Sequence, residues 1–242
     1  MKRVAIVLAV SLLAIIGCTV KEDGTSSLRK TDRQYVLYKE RTKGFGNYDY
    51  PNLKETEAEK LLTEKFQLEL PTLYNEIQQI IEKELEGNDI KAAKPVFQLF
   101  VQPTQVVFTR MTSYEKNNRP YIHTKIELKY FFDDGKKVAK LNNQTVMLIN
   151  QTTESKALSE KLPLFTKEVG KMINLNGLEQ GLSNYEKKVQ ASKGLIVQQA
   201  ISIADNNKEA KKEKGLLKSI QVSYDEHGIL RELYGNIADI TE

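Results

Sequence analysis

Hydrophobic and polar positions alternate most regularly in the middle of the chain. Over residues 121–132, Ile122, Thr124, Ile126, Leu128, Tyr130 and Phe132 fall on one face of an extended strand, and His123, Lys125, Glu127 and Lys129 on the other. Residues 96–101 and 106–114 carry a weaker form of the same period, with Pro103 between them at a bulge or sheet edge. Asp133-Asp134-Gly135-Lys136 predicts a hairpin turn into a strand over 137–150, so the whole stretch reads as an antiparallel meander with one wet face. Before it the period is helical. Ala58, Leu61, Leu62, Phe66, Leu70, Leu73, Ile77, Ile80, Ile81 and Leu85 form one apolar stripe over 54–86, which Pro71 should kink or split and Gly87-Asn88 should end.

Helical character returns from about 156 to 204, with Ser155 as its N-cap and interruptions at Pro163, 174–177 and 193–194. A short strand over 34–40 opens this series, and a hairpin of 216–224 and 229–234 across Asp225-Glu226-His227-Gly228 closes it. The order β, α, βββ(β), α, ββ predicts an α+β fold: a mainly antiparallel β-sheet, meander plus C-terminal hairpin, packed with helices.

The first eighteen residues follow neither period. A basic head, Met1-Lys2-Arg3, leads into an apolar run from Val4 to Ile16 broken only by Ser11. As a helix that run reaches roughly 20 Å, short of the ~30 Å hydrocarbon core, which suits the apolar region of a signal peptide better than a permanent span. It ends in Ile15-Ile16-Gly17-Cys18, which resembles the lipobox of bacterial lipoproteins. The resemblance implies cleavage between Gly17 and Cys18, diacylglycerol on the Cys18 thiol, often a further fatty acid on its new amine, and a location outside the cytoplasm. Two or three acyl chains anchor stably where one binds only marginally. Residues 1–17 are then a signal peptide, 18–33 a lipidated cysteine and flexible tether, and 34–242 a single α+β domain. Thr19 in place of Asp favours the outer membrane if the organism has two membranes.

Charge adds little. The formal balance of +4 falls to +2 once Lys2 and Arg3 are removed, so a pI near 8.8 is no nucleic-acid footprint, and no nucleic-acid partner is expected. The run from Lys208 to Lys214 is interleaved with acids and reads as a solvated face. Cys18 is the sole cysteine, so no intrachain disulfide can form.

Catalytic and metal signatures are hard to find. His123 and His227 lack partners at ligand spacing, and no nucleophile elbow or calcium loop is present. Gly44-Phe45-Gly46 lacks the third glycine of a dinucleotide site, so no cofactor is expected. The segment richest in recognition chemistry is 45–51, where Phe45, Tyr48 and Tyr50 stand among glycines and a proline as candidate partner-binding rings, or else fold back onto the core. Sheet edges near Pro103 and the final hairpin offer a second route, by strand addition.

These features point to a membrane-anchored, non-catalytic binding or assembly module of the cell envelope, holding a protein or a glycan. One alternative is an envelope hydrolase drawing on carboxylates such as Glu115, Glu127 or Asp133. Another is a small-ligand or lipid carrier whose meander curls around an apolar cavity.

Overall fold

A computed structural model describes residues 28–240 except Glu86, Asn88 and Gly194; Gly17 and Cys18 lie outside the described residues. In chain order the first half contains β1 (Tyr38–Glu40), β2 (Tyr48–Leu53), α1 (Glu55–Lys60), α2 (Thr72–Leu85), β3 (Ile90–Ala92), β4 (Val96–Gln102), β5 (Gln105–Lys116) and β6 (Arg119–Asp133). The second half contains β7 (Val138–Asn150), α3 (Lys156–Ser159), α4 (Leu162–Met172), α5 (Leu178–Ala191), β8 (Ala200–Asp205), α6 (Asn207–Glu213), β9 (Leu216–Tyr224) and β10 (Leu230–Asp239). The fold is α+β, with the strands joined in one antiparallel sheet of order β2-β4-β5-β6-β7-β10-β9-β8. Strand β1 pairs with the start of β7, and β3 with the end of β5.

The meander forms as its alternation requires. On β6 every residue of the apolar set from Ile122 to Phe132 is buried, whereas His123, Lys125, Glu127 and Lys129 are only partly so. Phe108 lies opposite Leu128, and Ile126 opposite Val146, so the buried sets of neighbouring strands coincide. A slip of one residue would turn each set to water, which is what fixes the register. The turn after β6 is closed by the Asp133 carboxylate, which accepts the Lys136 N–H at 2.9 Å.

The helices cover the apolar face. Pro71 does split the first helical stretch: α1 runs into a π-helical turn over Leu61–Lys65, the chain breaks, and α2 restarts with the Tyr74 N–H donating to the Pro71 carbonyl. Leu73, Tyr74, Ile77, Ile81 and Leu85 form the buried side of α2. Helix α5 approaches β8 so closely at Gly181 that a β-carbon there would fall on the Ile203 carbonyl.

Five expectations change. Residues 48–50 are not loop but the start of edge strand β2, because Tyr48 and Tyr50 alternate and pair with β4. The last helical stretch ends at Ala191; residues 200–205 form β8, which buries Ile201 and Ile203 at a spacing of two. The final hairpin is no sheet edge, since β10 lies between β7 and β9, and Pro103 sits in the β4–β5 turn with its carbonyl accepting the Phe45 N–H. Ser155 does not cap α3; its Oγ accepts the Leu230 N–H at 2.9 Å.

The fifth concerns the tether. Residues 28–33 belong to the packed domain. Leu28 is buried, and Asp32 meets Lys218 of β9 at 2.6 Å with the two side chains only 2% and 1% exposed. The Lys218 ammonium also lies 4.5 Å from the Tyr35 ring centroid. Tyr35 in turn donates its hydroxyl to the Met172 carbonyl and accepts the Gln144 side chain at its own carbonyl, both at 2.6 Å. This N-terminal segment is thereby clasped against β7, β9 and α4.

Candidate functional site

The three aromatics of 45–51 part company. Phe45 is buried, edge-on to Phe66 and Phe132 at 6.3 and 6.2 Å, with the Arg41 guanidinium 4.4 Å above its ring, so it presents nothing to a partner. Tyr48 and Tyr50 remain at the surface, Tyr48 with 42% of its area exposed. Their rings stack at 5.9 Å and 18°, as two-residue spacing on one strand face allows. Both rest on Phe66 of the turn after α1. Lys65 completes the cluster: its ammonium sits 3.7 Å from the Tyr48 centroid and donates to the Tyr50 hydroxyl at 2.6 Å, which pushes the Lys65 pKa up. Gly46, at φ +89°, lets the chain turn beneath the Tyr48 ring. Along β2, Pro51 lacks an N–H and Asn52 stands at φ +57°, so strand addition has only residues 48–50 to use.

The second surface is the face of the sheet opposite the helices. Directly paired residues share a face, and one row across it reads Val96, Met111, Lys125, Met147, Tyr234. The adjacent row is polar: Gln98, Thr109, Glu127, Thr145, Asn236. Val96, Phe100 and Met111 are exposed large apolar side chains on this side. Glu127 is held between Lys125 at 2.5 Å and Lys129 at 3.2 Å. Burial alone would raise its pKa, but the hydrogen bonds and charges of the two lysines outweigh that and hold it low.

A carboxylate depressed in the folded state stabilises the protein above its unfolded pKa, about 4.3, and loses that contribution as pH falls through the folded value. Glu127→Gln is therefore expected to cost about 1 kcal/mol at neutral pH, with the difference from the parent vanishing in acid. Urea unfolding at pH 7 and pH 3 measures this, and an unchanged difference at both would refute it.

The acids proposed for hydrolysis are not brought together. Glu127 and Asp133 are six residues apart on β6, roughly 20 Å, and Glu115 lies beside Pro120, still further from Glu127. Glu127 and Asp133 both have lowered pKa values, the opposite of what a general acid needs. His123 Nδ1 lies 2.8 Å from the hydroxyl of Ser113, its partner across the strands, but its neighbour on the other side is Ile149, so that row places no carboxylate against the ring to orient it. His227 is exposed in the final turn. Among the described residues no cluster of three or more His, Cys, Asp or Glu side chains is placed to hold a metal.

Two hollows of the described surface are open and mixed in character, with Leu175 in the first and Leu68 in the second beside their polar linings. One of about 420 Å³ is lined by Arg29, Asn174, Asp205, Asn206, Lys208 and Glu209; another of about 460 Å³ lies over Lys39, Thr63, Gln67 and Glu69. The space between Leu68 and Tyr130 is about 30 Å³, room for a single water and not for an acyl chain.

Fold and surface thus define an α+β domain with an open sheet face and a tyrosine-bearing edge strand. Compared with protein-family models, curated proteins and solved structures, the chain matches none of them.

Proposed function

We propose that the protein is an extracytoplasmic lipoprotein, anchored through Cys18, that binds another envelope protein without catalysis. The observation that carries this reading is Ile15-Ile16-Gly17-Cys18 at the end of a short apolar run, with Cys18 the only cysteine of the chain. No described helix is long and apolar enough to cross a membrane, so a permanent hold on the bilayer through helices would fall to residues outside that set. The scattered acids and the filled interior between Leu68 and Tyr130 weigh against a hydrolase and a carrier.

The docking surface we favour is the Tyr48–Tyr50–Lys65 cluster. Its rings are rigid, amphipathic and only partly buried, the character of interface anchors. The Lys65 ammonium beside the rings adds a positive charge for the acidic or carbonyl groups of a protein partner.

Crosslinking in cells, followed by mass spectrometry of the purified adducts, tests both parts. Cys18→Ser is expected to abolish membrane retention while leaving the domain folded. Tyr48→Ser with Tyr50→Ser is expected to keep the anchor and reduce the principal adduct by about tenfold, the weight of one hot-spot pair. An unchanged membrane fraction in Cys18→Ser would overturn the anchor, and an unchanged adduct in the tyrosine variant would overturn the docking site.

A further inference from the structure

We propose that Lys208, Lys211 and Lys212 on α6 form a membrane-facing surface for anionic lipid headgroups, an inference that rests on the anchor at Cys18. Helix α6 lies where the described chain begins. Leu28 packs beside Ala210 and Leu216, and the Arg29 guanidinium meets Glu209 at 2.5 Å and Glu213 at 3.9 Å. Ten peptide steps separate Leu28 from Cys18, so Leu28, beside which α6 packs, stands no more than about 36 Å from the lipidated residue and comes closer whenever that chain is less than fully extended.

The charges on α6 are sorted. At 100° per residue, Glu209 and Glu213 share one side and Lys208, Lys211 and Lys212 another, with Ala210 buried between helix and sheet. Arg29 draws both glutamates toward the domain, and the nearby Asp32 is satisfied by Lys218. The sequence interleaves these lysines with acids; in the fold both glutamates stay exposed but are paired with Arg29 on their own side, and the lysines are exposed on the other. Lys30, also exposed, adds to the same end. Exposed lysines close to an anionic leaflet are drawn to it within about a Debye length.

Strand β8 runs between α6 and the far end of the domain, about 20 Å for its own six residues. Helix α5 meets Ile203 at Gly181, so at ~1.5 Å per residue Lys187 and Lys188 stand about level with the other end of β8 and Lys193 further on; all three are exposed and serve as internal controls.

The test uses the full-length lipidated protein in vesicles of phosphatidylcholine alone or with about one-third phosphatidylglycerol, an anionic headgroup. Amine-reactive labelling of each lysine is read by mass spectrometry after flotation. Labelling of Lys208, Lys211 and Lys212 is expected to slow about threefold or more in the anionic vesicles, and to recover in about 1 M salt, where the Debye length shrinks to ~3 Å. Lys187, Lys188 and Lys193 are expected to react alike in both. Protein that floats with both vesicles and labels equally overturns the headgroup surface alone. Protein that floats with neither overturns the anchor, and this inference with it.

Discussion

Asp32→Ala is expected to lower the unfolding free energy by about 3–5 kcal/mol, because it strands the Lys218 ammonium in a site that is 1% exposed. Burial already pushes the Lys218 pKa down, and Asp32 is the chief influence holding it up. With Asp32 gone, the unfolded chain binds a proton that the folded chain gives up. Stability of the variant should therefore rise with pH until the unfolded lysine also titrates, near 10.4. Asp32→Leu combined with Lys218→Met should recover most of the loss, since two apolar groups of similar size replace a desolvated pair. Urea unfolding of both singles and the double gives the coupling directly. A single-variant loss below about 1 kcal/mol would mean that the clasp over residues 28–36 is held by Leu28 and Tyr35 instead.

Gly181→Val is the other large effect, expected at about 2–3 kcal/mol of destabilisation. Helix propensity argues the opposite sign for Gly181→Ala, a gain of about 1 kcal/mol in an exposed helix. Sterics decide here, because the β-carbon would meet the Ile203 carbonyl, which is backbone and cannot rotate aside. Helix α5 would have to lift from β8, so both variants should fall, valine further than alanine. Thermal unfolding reads this as a drop of about 2–4 °C for each kcal/mol in a domain of this size. A raised midpoint for Gly181→Ala would show that the α5–β8 contact yields freely.

Strands β4 to β7 were legible because one face is buried and the other wet, so the period of two is printed in Ile122–Phe132. The split at Pro71 followed from its missing donor. Strand β2 was hidden because Pro51 and Asn52 interrupt the alternation after two tyrosines, and an edge strand needs no more than that. Strand β8 was hidden by its brevity: Ile201 and Ile203 are its alternating pair, and a bulge near Ile203 spoils the pattern at Ala204. At the tyrosine cluster, two rings two residues apart were visible, but Lys65 reaches them only through the π-helical turn that follows α1. The two sides of α6 follow from helical spacing, but the pairing of both glutamates with Arg29, far away in sequence, is reported by no local pattern.

The placement of β10 bears on how the molecule comes into being. Residues 232–238 fill the gap between residues 143–149 of β7 and residues 217–223 of β9, so the sheet stays in two parts until those residues are made. Lys218 and Tyr35 seat the N-terminal clasp on that same late-formed region. Such distant pairings form slowly. A chain still lacking β10 holds two unjoined part-sheets, and under the exported reading proposed above that late closure would ease its passage through a translocation pore.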